Sequence, residues 1–534
     1  AIAPIPAALH VFIPAGSCKD GVMGVLSYFR LIRAGWILMR EGVTRLVDPS
    51  TLPASGKLIV KSLRLVEKSS VKRSSKAERL TGALNRLGPT YIKIGQFLAT
   101  RPDIVGKEVA GNLSLLQDRL PPFATKIAKA QVEAAFGKPC DEIFEEFSEP
   151  VAAASIAQVH KAKWRDREGN LRNVAVKVLR PNIRKRFKND LDAFRVAALW
   201  LERLIPSMRR LRPVKAIDTH ARSAELELDL RLEAAALSEL GENMASDPLY
   251  RTPDIIWEHM SRDVMVTEWI DGIKLSDIEG LRAAGHNLEG LAAEVIQSFL
   301  TQAVRDGFFH ADPHQGNWFV EPDGRLVAID GGIMGRISEG ESRFLAEILW
   351  GFINRDYHHI AQVHFEAGYV PARHKVADFA QALRGIGEPI HGVQADDISM
   401  AKLLQQLLDV TDLFDMPMQP QLIFLQRTMV VAEGVARSLD PHFNMWTASK
   451  PVLQDWVAGH VGPLAHLKRA ANGVDALGKL INELPRLAER AEILSANLAN
   501  AGEAEKEKSD KTLSYSLMIL ALSVVLLAGA IWWG

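Results

Sequence analysis

Cysteine is nearly absent: Cys18 and Cys140 are the only two in 534 residues. By themselves two thiols build neither a disulfide framework nor a zinc quartet, and such usage points to a reducing compartment. Net charge is missing as well, with 64 basic side chains against 64 acidic ones. That balance removes any argument from global basicity to nucleic acid, so no nucleic-acid partner is expected and only local patches matter. No repeat of fixed period is visible. Only one charge-free run is clearly long enough to span a membrane, and it lies at the end of the chain. What remains is ordinary globular material, 47% hydrophobic and 24% charged. The length suggests about three to four domains' worth of chain and ample core.

That run is Leu513–Gly534, with Trp532 and Trp533 near its end. It is long enough to cross about 30 Å of hydrocarbon as a helix, with the tryptophans at an interface. Lys506, Lys508 and Lys511 precede it and no Lys or Arg follows, so the body is expected on the cytoplasmic side. Residues 1–21 read as a poorly defined leader: apolar, without the basic start of a signal peptide. Residues 22–47 alternate apolar and basic at helical spacing, as an interfacial helix or an ordinary surface helix would. Residues 57–86 hold nine basic residues against two acids, a local excess of +7 that suits anionic lipid headgroups or a solvated linker.

Leu87–Thr100 reads as a helix with Pro89 in its first turn, and residues 104–148 read as helical. The texture changes at Ala152. NVAVKVLR (173–180) and VMVTEWI (264–270) read as strands, with a long helical region between them. NWFV and RLVAID, separated by EPDG (321–324), read as a hairpin. From about 340 to 500 the pattern is helical, and 501–512 is a polar linker. The middle is therefore a small mixed lobe followed by a large helical one.

HADPHQGN, His310–Asn317, sets Asp312 and Asn317 five residues apart in a loop entering that hairpin, and Asp330 ends the hairpin's second strand. Two carboxylates and an amide oxygen converging there make a hard-oxygen site of the kind Mg²⁺ shares with phosphates. Lys177, on a strand, presents a point charge to phosphates. The order of strand lysine, helix glutamate, HxD with Asn five later, then a metal Asp is that of kinases. His310 and His314 as transition-metal ligands would leave the lysine and the hairpin unexplained. His358, His359 and His364 read as helix-surface and core histidines. GVDALGK (473–479) fails as a phosphate loop at Leu480, where a hydroxyl is needed. No GxGxxG precedes Lys177; Ala152, Ala153, Ala154 and Ser155 stand there instead, and their methyl groups stiffen the loop. Lys93 and Gln96 share one face of an upstream helix.

LGPTYIKIGQFLATRPDIV, AAASIAQVHKA, VAVKVLRP, ELDLRLEA, FFHADPHQGN and the AID ending at Asp330 together resemble the UbiB family of atypical kinase-like proteins, over roughly residues 22 to 534. The resemblance implies an α+β, bilobal protein-kinase-like fold with an N-terminal KxGQ helical extension (22–148), an N-lobe (149–272), a large helical C-lobe (273–500) and a C-terminal transmembrane helix (513–534). It implies an ATPase supporting ubiquinone biosynthesis, with ATP/ADP and Mg²⁺ as cofactors and little protein kinase activity in trans. Expected partners are anionic membrane lipids, ubiquinone precursors and ubiquinone-biosynthesis enzymes. The expected place is the bacterial inner membrane, with a single-pass C-terminal anchor and a cytoplasmic catalytic body.

By the same resemblance, Lys177 is the nucleotide lysine and Glu227 its helix partner, and Glu233 is a second family acid. The KxGQ helix would fold over the site where a protein-kinase substrate would bind, and the alanine-rich turn would alter nucleotide preference. Six helical residues separate the two glutamates by about 120° around one axis, so Glu227 is expected with Lys177 and Glu233 with Lys93. Asp312 would position or deprotonate the nucleophile, Asn317 and Asp330 would hold Mg²⁺, and backbone groups from Glu268 to Ile270 would meet adenine. Gly331 stands where kinases carry an aromatic. Gln315 replaces a frequent Pro and is expected to loosen its loop slightly. A nucleotide-binding scaffold or lipid chaperone without turnover is the alternative, and a metal-dependent hydrolase is a third class.

Overall fold

The computed structural model describes residues 20–46, 66–68, 74–99, 107–113, 120–204, 212–391 and 420–460, with a few isolated positions between them. Residues up to Leu453 belong to one compact unit, and Gln454–His460 are the described residues of a second. The leader before Asp20, the 473–479 segment, the polar linker and the Leu513–Gly534 run lie outside the described residues. Among the described residues no helix is long and apolar enough to cross a membrane.

Four helices open the fold: α1 (Asp20–Arg40), α2 (Lys76–Leu87), α3 (Pro89–Ala99) and α4 (Lys107–Leu113). Ser75 and Glu78 close a capping box on α2. Ala34, Leu80, Leu84, Leu87, Tyr91, Ile92 and Leu113 make their common core. Gly95 of α3 sits where a Cβ would meet Leu84 Cδ1 at 2.8 Å and Leu116 Cδ2 at 2.9 Å, so this helix needs glycine to pack so closely. The basic 57–86 stretch is partly committed inside the protein. Arg79 is buried beside Glu67 (3.8 Å), and Lys68 and Arg86 both pair with Glu41. The described part of this stretch is thus less available to an external anion than its raw charge suggests.

Next come α5 (Thr125–Phe136), α6 (Cys140–Ile143), β1 (Glu146–Ala153), β2 (Ala157–Arg165), β3 (Leu171–Leu179), α7 (Ile183–Leu204), α8 (Pro213–Glu227), α9 (Leu230–Asn243), β4 (Tyr250–Arg251), β5 (Ile255–Met260) and β6 (Val264–Glu268). Strands β1, β2, β3, β6 and β5, in that order, form an antiparallel sheet. Side chains alternate across a strand. Val174, Val176 and Val178 of β3 therefore face Ala128 and Val132 of α5. Leu179, with Ala157 and Met265, faces α7, α8 and α9. Lys177 shares this second face. The sheet begins at Glu146, inside a stretch expected to be helical.

The chain continues through β7 (Ile273–Lys274), α10 (Ile278–Ala283), α11 (Leu288–Leu300), β8 (Phe308–His310), β9 (Trp318–Val320), β10 (Leu326–Ala328) and β11 (Met334–Arg336). The expected hairpin is β9–β10, with Leu326 opposite Val320. Helices α12 (Glu339–Asn354), α13 (Tyr357–Glu366), α14 (Val376–His391), α15 (Pro420–Leu439) and α16 (Met445–His460) complete the helical lobe. Phe352, Tyr357, Ile360, Phe379 and Leu383 form a core there. His364 is buried in this lobe, its Nδ1 2.8 Å from the Ile360 carbonyl, while His359 lies at the surface near Glu347.

Candidate functional site

The centre of the site is an ammonium between two carboxylates. Lys177 Nζ pairs with Glu233 of α9 and donates to Asp330 Oδ1 at 3.2 Å. The expected pairing of Glu227 with Lys177 is corrected. Glu227 instead takes Lys93, at 3.1 Å from Oε2, and Glu233 takes Lys177. The two acids do not share a helix, so the single-axis geometry does not apply. Helix α8 ends at Glu227, Leu228 caps it, and the Asp229 side chain accepts from Arg231 N to start α9. Arg184, from the first turn of α7, holds the break by donating through Nε to the Leu228 carbonyl at 3.0 Å and pairing with Asp263.

Electrostatics follow from this crowding. Burial pushes the Glu233 carboxyl up; Lys177 pulls it back and the Asp330 charge adds to the rise. Burial would also raise Asp330, but Lys177, the hydrogen bond with Glu233 and His310 together hold it well below the usual carboxylate range. Burial opposes the charge on Lys177, yet its two carboxylates keep the ammonium above its ordinary value. The pairing thus favours the charged forms of Lys177 and Asp330.

The hairpin sets Asp330 beside the loop of Asp312. Ile329 N donates to the Asn317 carbonyl at 3.0 Å, and Asn317 Nδ2 lies 3.3 Å from Asp330 Oδ2. Ala311 N bonds the Ile333 carbonyl, and Asp312 N donates to His310 Nδ1 at 3.1 Å. His310 is buried, burial lowers its pKa, and its Nδ1 accepts that bond. Gln315 faces Ser438 of α15 at 3.4 Å, and His314 caps the turn by accepting from Gly316 N at 2.8 Å. Thr428 of α15, a residue without a sequence signal, donates to the Ala311 carbonyl at 3.1 Å.

Ala152 and Ala153 end β1, and Ala154 and Ser155 form the tight turn into β2, where Ala154 N bonds the Ala157 carbonyl at 2.8 Å. Arg180, also unsuspected, clamps this turn. Its Nη2 donates to the carbonyls of Ala154 at 2.8 Å and Pro121 at 2.9 Å. At the other rim, the Glu268 side chain takes two hydrogen bonds from Arg251, at 2.6 and 2.9 Å. The same guanidinium donates to Glu321 in the β9–β10 turn at 2.6 Å. Ile270 is buried just beyond β6. Gly331 is a steric necessity: a Cβ there would meet Leu237 Cγ at 2.8 Å and the Glu233 carbonyl at 3.0 Å. Helix α9 fills the space that an aromatic would need.

The KxGQ helix docks against α7 and α8. Lys93 reaches Glu227, Phe97 stacks on the buried His220 at 4.9 Å between centroids, and Gln96 is half-buried. Burial, aided by Lys93, lowers His220 to about 4, so the stack involves a neutral ring.

The donors fit a hard divalent cation. Asp330, Asn317 and Asp312 offer only oxygen and amide groups, and Glu233, Asp330 and Asp312 outnumber the one ammonium of Lys177. Among the described residues no group of three or more His, Cys, Asp or Glu gathers as a metal cage. A cation held by Asp330 and Asn317 would share the rest of its shell with phosphate and water.

A family model for the ABC1 atypical kinase-like domain matches residues 115–364, and one for the UbiB helical domain matches residues 383–444. A solved structure from Mycobacterium tuberculosis, the complex of Rv3197 with erythromycin, is similar over 74% of this chain and 97% of its own, at 23% identity and a TM-score of 0.48. The 310–317 loop and Asp330 lie within the first match, and Thr428 and Ser438, which meet that loop, lie within the second. The two matches together cover more than half of the sequence, and the chain belongs to the UbiB family of ABC1 atypical kinase-like proteins.

Proposed function

We propose that this protein is a membrane-associated, kinase-like ATPase that supports ubiquinone biosynthesis, acting on or with lipid precursors and their enzymes. The observation that carries the reading is Lys177 held between Glu233 and Asp330, with Asn317 and Asp312 on the adjoining loop. Lys177 would meet the phosphates of ATP, and the backbone from Glu268 to Ile270 would meet its base. Bound Mg²⁺ would neutralise phosphate charge. Asp312 would accept the proton of an attacking water as its oxygen bonds to the terminal phosphorus and the bond to ADP breaks. Catalysis would rest on positioning and electrostatics. The Leu513–Gly534 run would anchor the chain in a bacterial inner membrane with its body in the cytoplasm.

A second reading, a nucleotide-binding scaffold, draws on the alanine turn clamped by Arg180 and the KxGQ helix locked by Lys93. Phosphate release from ATP by the full chain, with and without anionic liposomes plus a small phenol, separates the two. Lipid-stimulated release that Asp330→Asn abolishes supports the ATPase. Tight Mg-nucleotide binding without turnover under any lipid condition supports the scaffold.

A further inference from the structure

A cavity of about 520 Å³ opens where α1, the start of α3 and the first turns of α7 meet, and no nucleotide-site residue lines it. Its wall carries Arg30 and Arg33 from α1 and Lys185 and Arg186 from α7, against one carboxylate, Asp190. That carboxylate is already engaged. It accepts from Arg30 Nη1 at 2.7 Å and from the Thr90 hydroxyl at 2.9 Å. Arg186 gives one nitrogen to the Leu87 carbonyl at 2.7 Å. Arg33 and Lys185 are exposed, and no ion pair engages either among the described residues. The Tyr91 hydroxyl, pushed up to about 12 by burial and by Asp190, stays protonated in the wall as a donor. The N-terminal end of the 22-residue α7 adds its partial positive charge. A concave surface with three excess positive charges and several donors suits an anion rich in acceptor oxygens, a phosphate ester above all.

The same helix carries a second signal. Leu26, Phe29, Ile32 and Trp36 of α1 are 61%, 66%, 67% and 47% exposed. Their three- and four-residue spacing lines them along one face. An apolar stripe beside a cationic hollow is the pattern of a helix lying at the headgroup–acyl boundary. We infer that this cavity binds the phosphate of an anionic phospholipid while the α1 stripe enters the acyl boundary. The inference rests on the proposed membrane association and not on nucleotide turnover. Because Tyr91 lines the cavity two residues before Lys93, the bound headgroup would sit against the KxGQ helix.

The test is calorimetric titration of the full chain, held in nonionic detergent, with dihexanoyl phosphatidylglycerol below its micellar concentration. Dihexanoyl phosphatidylcholine and inorganic phosphate are the comparison ligands. The variant Arg33→Ser/Lys185→Ser removes the two uncommitted cations. Lys126→Ser/Arg282→Ser removes two exposed cations elsewhere and matches its net charge. Expected is binding of the glycerol lipid, weakened about tenfold in the first variant and unchanged in the second, with no binding of the choline lipid. Equal affinity in both variants, or equal loss in both, overturns the site. Inorganic phosphate binding as tightly as the lipid, with the same variant sensitivity, overturns the lipid as its occupant. Lipid binding by a protein that shows no ATP turnover leaves this site standing while the ATPase reading fails.

Discussion

Single side chains decide much of this protein's chemistry. Gly331 is closed in by Leu237 and the Glu233 carbonyl, so even one methyl group must push α9 away from Lys177. Gly331→Ala is expected to cost about 1–3 kcal/mol, as overpacking does, and to weaken Mg-nucleotide binding. Unchanged nucleotide affinity by calorimetry would show that the contact has slack. Glu294 of α11 is another such residue: it is buried, one oxygen is unpartnered among the described residues, and burial, with Asp247 adding, lifts it to about 7. The folded protein holds this proton more tightly than the unfolded chain does. Stability is therefore fully supported below about pH 4.5 and falls as pH rises towards 7. At about 1.4 kcal/mol per pH unit the loss is of order 3 kcal/mol. Glu294→Gln should flatten that slope and melt higher than the parent at pH 8. Parallel melting-temperature profiles for the two proteins would refute it.

At the scale of elements, the break between α8 and α9 reorganises the site. It gives each lysine its own acid: Lys93 with Glu227, Lys177 with Glu233. Double-mutant cycles should show coupling of about 0.5–3 kcal/mol within each of these pairs and none in the crossed pairs; coupling in the crossed pairs instead would contradict the arrangement. This break was not legible in the sequence. ELDLRLEA carries no Gly or Pro, and the stop depends on Arg184, more than forty residues upstream. Strand β2 was hidden for a different reason. Its inward face holds Gln158, His160, Ala162 and Trp164, so buried polar side chains invert the alternation that marks a strand. Gln158 and His160 bond each other at 2.9 Å and reach the backbone of Phe123 and Ser148. By contrast, β3, β6 and the β9–β10 hairpin were legible because their β-branched runs are buried and bounded by loops. Asn317 and Asp330 were legible as neighbours because one sits at each end of that hairpin. Arg180 and Thr428, which brace the surrounding turns, act through backbone carbonyls, and such contacts leave no pattern in a sequence.

At the largest scale, the kinase-like lobe and the helical domain together support the 310–317 loop. A ligand that binds only the folded form raises stability by mass action, about 2.7 kcal/mol at a hundredfold excess over Kd. Mg-ADP should therefore raise the melting temperature of the full chain, and Asp330→Asn should remove that shift. A shift of equal size in the variant would move the nucleotide away from this carboxylate. Arg251 gives the lobes a further property. One guanidinium grips Glu268 at the end of β6 and Glu321 in the hairpin turn that leads to Asp330. It works as a rivet between the two elements. Parting the end of β6 from the hairpin turn strips it of two charge-assisted hydrogen bonds, those to one glutamate or the other, so the strand end and the turn move together.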